Sequence, residues 1–100
     1  MFKMESVDDL WNHIAYVLAY APDRFPHRDF LPPHQQMNLP LAFQQLRQGV
    51  EIAHPEPSFA DKRQVLYQLL DRCHAAFLAG KEDEAGDLLN EFQANIFKEQ

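Results

Sequence analysis

The sequence predicts an all-α protein: a compact four-helix bundle with a long proline-rich loop between helices 1 and 2. Three observations lead there. Apolar residues recur at three- and four-residue steps over four separate stretches, the spacing that gathers them on one face of a helix. Prolines, glycine and short polar residues fall between the stretches, where helices have to start and stop. No stretch alternates apolar and polar residues over the length of a strand.

The first helix is expected over residues 7–21, started by Ser6 with Asp9 in the third helical position and ended by Pro22. Val7, Leu10, Trp11, Ile14, Leu18 and Ala21 form its expected buried stripe, and Tyr16, Val17 and Tyr20 add a second apolar flank. Residues 22–37 contain Pro22, Pro26, Pro32 and Pro33, whose fixed φ and missing N–H groups forbid a regular helix. Phe25, Phe30 and Leu31 are expected to hold this loop against the bundle. Asn38 caps the second helix, and Pro40 falls in the first turn, where its absent N–H has no intrahelical partner to lose. Leu39, Ala42, Phe43, Leu46, Val50 and Ala53 make its stripe, and Gly49 inside it costs about 1 kcal/mol relative to Ala.

Pro55 and Pro57 close that segment, and Ser58 with Asp61 has the form of a capping box that starts the third helix. Leu66, Leu69, Leu70, Cys73, Ala76 and Phe77 line the third helix, and Gly80 suits the left-handed conformation that ends it. Ala85, Leu88, Leu89, Phe92 and Ile96 resume the period in a fourth helix, antiparallel to the third.

One hundred residues make one helical domain over 1–100. The net charge of -6 is uneven: residues 51–100 hold 10 acidic and 5 basic side chains, against 5 and 4 in residues 1–50. Such a surface repels phosphate, so direct nucleic-acid binding is not expected. The longest apolar run, Ile14 to Ala21, is eight residues, whereas a membrane helix needs roughly twenty, so no membrane association is expected either. The lone Cys73 cannot form an intramolecular disulfide and the first residues lack the apolar core of a secretory signal; the expected location is cytoplasmic.

Chemistry is sparse. Cys73 occupies an apolar stripe, where it serves as a small buried hydrophobe rather than a nucleophile, and His74 points about 100° away around the helix. His13, His27, His34, His54 and His74 include no pair four residues apart, and neither HExxH nor CxxC occurs. Only His27, Asp29 and His34 in the loop offer the makings of a metal or enzyme site, the least favoured reading. With Gly49, Gly80 and Gly86 as its only glycines, the chain builds no phosphate loop, GxSxG elbow or dinucleotide fingerprint. No catalytic residue, cofactor or metal is therefore assigned, and a non-enzymatic protein is expected.

Two features exceed what folding requires. Asp83, Asp87 and Glu91 fall at four-residue steps on the fourth helix, where like charges repel by a few tenths of a kcal/mol per pair. They are either neutralised by Lys62, Arg63 or Arg72 of the neighbouring helix or form a patch for a basic protein. The loop residues Arg24, Phe25, His27, Arg28 and Phe30 interleave cations with aromatics, the types enriched at binding hot spots. The expected function is a protein-interaction module, a small adaptor, inhibitor or immunity-type protein, presenting the acidic helical face and the aromatic loop to a partner with a basic surface. The alternative is a homodimer subunit that buries Trp11, Tyr16, Val17 and Tyr20 against its copy.

Overall fold

The computed structural model describes residues 4–27, 29–30, 32 and 36–97. Four α-helices occur among them: α1 (Val7–Tyr20), α2 (Leu39–Ala53), α3 (Ala60–Leu78) and α4 (Glu82–Ile96), with a 3-10 turn, Pro57–Phe59, ahead of α3. The all-α bundle expected from the periodicity is the fold observed, and the described residues contain no strand.

Local chemistry accounts for most of the helix ends. Ser6 Oγ accepts the Asp9 N–H at 3.1 Å and starts α1; the Asp9 carboxylate returns to accept the Glu5 N–H at 3.0 Å. Asn38 Oδ1 accepts the Leu41 N–H at 2.9 Å and starts α2. After α3, Gly80 takes φ +78°, the Lys81 N–H reaches the Ala76 carbonyl at 2.9 Å and the Gly80 N–H reaches Phe77 at 3.1 Å. This paired closure satisfies two carbonyls that a helix end otherwise leaves unpaired.

The start of α3 departs from expectation. Ser58 does not cap it: the chain turns helically from Pro57, and Ser58 lies inside the 3-10 turn. A capping residue needs extended backbone, and the extended residue here is Glu56, at φ -70° and ψ 143°. The link is instead held by Arg63, whose Nη1 donates to the carbonyls of His54 and Glu56, each at 2.7 Å.

Each helix is antiparallel to its neighbours around the bundle. In the α1–α2 pair, Leu10 lies over Gly49 and His13 reaches Ala42. Phe43 stacks on His74 at 4.7 Å and meets the edge of Phe77, while Arg47 pairs with Asp71 and lies over the Tyr67 ring, which joins α2 to α3. Cys73 Sγ donates to the Ala85 carbonyl at 3.2 Å across the α3–α4 hairpin. The ring closes where Trp11 near the start of α1 packs on Phe97 just after α4, and where Arg24 beyond α1 pairs with Glu82 at the start of α4.

One core runs through all four helices, with Leu10, Ile14, Leu46, Leu66, Leu70, Leu89 and Phe92 fully buried. Each such side chain contributes about 1.5–3 kcal/mol relative to an exposed position. Gly49 has a packing reason. A Cβ there would stand 2.4 Å from Leu10 Cδ1 and 3.0 Å from Leu10 Cγ, so the bare backbone lets α1 and α2 approach.

The buried face of α1 is rotated from the expected stripe. Leu10, His13, Ile14, Val17 and Ala21 are buried, whereas Val7, Trp11 and Leu18 are exposed. The cause is His13: its Nε2–H donates to the Ala42 carbonyl at 3.0 Å, which lets a polar ring occupy the interior side of the helix and turns Trp11 outward.

Candidate interaction surface

Helix α1 carries more apolar surface than a bundle position covers. A helix in a bundle hides an apolar arc on one side; beyond that arc Val7, Trp11, Ala15 and Leu18 remain exposed. At 100° per residue these four lie within about 80° of one another, so they form one stripe along the helix. Trp11 is 52% exposed, and its contact with Phe97, ring centres 5.0 Å apart, turns the stripe toward α4.

Helix α4 borders that stripe with small, polar and acidic residues. Phe97 and Gly86 lie on its α1-facing flank, and a Cβ built on Gly86 would meet nothing within 4 Å, so the flank is open there. By the same helical geometry Asn90, Asp83 and Asp87 follow outward at about 20°, 40° and 80° from Phe97, and Glu91 lies at about 120°. Asn90, Asp83, Asp87 and Glu91 are exposed. Of these acids only Asp83 lies in the first turn of α4, where the helix dipole favours negative charge; Asp87 and Glu91 lie beyond it.

The expected neutralisation by the neighbouring helix fails at Arg63 and Arg72. Arg63 is committed to the carbonyls of the α2–α3 link, and Arg72 stands at the rim of an open groove of about 330 Å³ floored by Ala75, Ala76, Ala79 and Leu88. Arg24 pairs with Glu82, His27 with Asp29 and Arg47 with Asp71, and none of these three pairs involves the acidic stripe.

The loop residues do not form one patch. Phe25 is half-buried, stacked on Tyr16 with ring centres 5.7 Å apart, and so acts as a packing strap. Arg24 reaches Glu82 at 3.5 Å and brings the loop to the end of α4. His27 and Asp29 are exposed, 3.7 Å apart, and Phe30 is 75% exposed rather than pinned. Arg28, Leu31, Pro33 and His34 lie outside the described residues. The homodimer face also divides: Val17 is core, Tyr16 is half-buried against His13 and Phe25, and only Trp11 and Tyr20 are exposed.

Cys73 is inert by its surroundings. Burial pushes its thiol up to about 12, so no thiolate forms near neutral pH. Burial also lowers the pKa of His13, and its bond to Ala42 only partly opposes that. His54 is buried beside Phe59, its Nε2–H donating to the Ile96 carbonyl at 2.9 Å. Among the described residues no three His, Cys, Asp or Glu side chains converge to hold a metal ion, and no helix is long and apolar enough to cross a membrane.

Sequence reasoning placed the acidic stripe and named Trp11 in a homodimer face, but assigned Val7, Trp11 and Leu18 to the buried stripe and so did not join them into one exposed row. The signal that could have found it is the number of apolar residues between Ile14 and Ala21, which exceeds one buried arc. No protein-family model, curated protein or solved structure matches this chain.

Proposed function

We propose that the protein is a non-catalytic interaction module whose docking surface is the exposed stripe of α1 together with the acidic outer face of α4. The observation that carries this reading is a row of exposed apolar side chains, Val7, Trp11, Ala15 and Leu18, that meets α4 where Trp11 packs on Phe97, with the exposed Asp83 and Asp87 on the outer face of that helix and Glu91 farther round it. Exposed apolar side chains aligned along one helix, rather than scattered singly, mark interaction sites, and a flanking charge of one sign selects partners of the other. Neither stripe is needed for the core. The setting proposed is the cytoplasm, where a lone thiol such as Cys73 stays reduced.

The test compares protein captured from native cells by the wild type, by Leu18→Glu with Asp87→Lys, and by a control, Val65→Glu, on exposed α3 surface. A partner retained by the wild type and the control but lost from the double variant is the expected result. Identical capture by all three folded proteins would remove this surface as the docking site.

A further inference from the structure

We infer that the seam between α1 and α4 seats a short amphipathic helix of a partner protein, apolar on the side facing Trp11 and rich in lysine or arginine on the side facing α4. This rests on the interaction-module reading and adds the chemistry of the partner.

The two walls of the seam ask for different things. On α1 the floor is Val7, Trp11, Ala15 and Leu18; on α4 Phe97 and Asn90 stand beside it, and Asp87 and then Asp83 lie toward and past its Leu18 end, since Trp11 meets Phe97 and Arg24 meets Glu82. Asp8 extends the acidic border on the outer side of α1, about 60° from Trp11. A basic flank on the partner therefore meets Asp8 near one end of the floor and Asp87 and Asp83 near the other, while its apolar face covers the floor. The carboxylates of Asp83 and Asp87 are spaced by one helical step of four residues, about 6 Å, which lysines four residues apart on a facing helix reproduce.

Backbone chemistry favours a helix over an extended segment. The described residues contain no strand whose edge could supply main-chain partners. An extended peptide laid over Trp11 and Leu18 would leave its own N–H and C=O groups against apolar side chains, whereas a helix satisfies them internally. The floor from Val7 to Leu18 is about 16 Å long, three turns of such a helix.

Charge also argues against a second copy of this chain. A two-fold contact repeats the same surface on both copies, so the carboxylates of Asp8, Asp83 and Asp87 on one protomer would face walls on the other that supply further carboxylates rather than cations.

The 100-residue chain reports on the site itself, since Trp11 is its only tryptophan. A tryptophan-free amphipathic peptide of leucine and lysine would be titrated while Trp11 emission is followed. Two parallel titrations would use the same residues scrambled to abolish amphipathicity, and the same pattern with glutamate for lysine. The expected result is a saturable blue shift with the leucine-lysine helix alone. Asp83→Lys with Asp87→Lys should weaken it roughly tenfold or more, as for charged pairs lost from an interface.

Equal binding of the scrambled peptide would mean charge attraction without a helical seat, and equal binding of the glutamate peptide would mean apolar contact without charge selection; each overturns the inference. Absence of binding by all three overturns it as well, leaving the capture experiment to decide the interaction-module reading separately. Sedimentation showing a dimer whose Trp11 is already shielded would assign the seam to self-association and overturn both.

Discussion

Two glycines in helix interiors have opposite consequences, because one is filled by a neighbour and the other faces open space. At Gly49, Leu10 stands where a Cβ would be, and Leu10 is fully buried and cannot simply swing away. Gly49→Ala should therefore lower stability by about 1–3 kcal/mol through overpacking, despite the gain in helix propensity. Gly86→Ala meets nothing within 4 Å and should raise stability by about 0.5–1 kcal/mol. Urea midpoints of both variants check the pair. His13 gives a pH dependence of known sign. Its folded-state pKa lies below the ordinary 6.5, so the unfolded chain binds more protons between those two values and stability rises with pH across that window. The contribution is whole above about 6.5 and is lost as pH falls through the lowered value. A His13→Gln variant should lose less stability than the wild type between neutral pH and about pH 5, measured by denaturant melts.

At the scale of elements, helix ends were legible wherever one residue supplies the chemistry. Asn38 and Gly80 act as their types imply, one by an accepting side chain and the other by a positive φ. Ser58 was misleading because two prolines upstream start the turn earlier than a serine cap would. Asn38→Ala should cost about 1 kcal/mol, whereas Ser58→Ala should change stability by only a few tenths. Thermal melts that ranked them in reverse would mean that the cap assignments are exchanged. The buried faces of the third and fourth helices were read residue for residue, since every apolar position assigned to them is buried. The face of α1 was not, because nearly every position from Ile14 to Ala21 is apolar and periodicity cannot choose among them. What chose was a contact far along the chain, His13 to Ala42, which a sequence does not display.

At the scale of the whole molecule, the four helices share one interior, so damage at its centre should be felt by all of them. Leu70 is 1% exposed within that interior, and Leu70→Ala should cost about 2–5 kcal/mol in a single cooperative transition. Calorimetry giving two separate transitions would contradict a shared core. The candidate surface was half legible for the same reason that α1 was: charge pattern is local, but exposure of an apolar row depends on which neighbours arrive. The path from α1 to α2 has a further consequence. These helices are adjacent and antiparallel, so a connection of about two to eight residues would ordinarily suffice, yet 18 residues, 21–38, separate them in the sequence. Connectivity does not require that length, and surgery that retains Phe25 and Met37 while excising the chain between them should leave the helices in register. What the shortened protein can no longer do would then measure what the spare length is for.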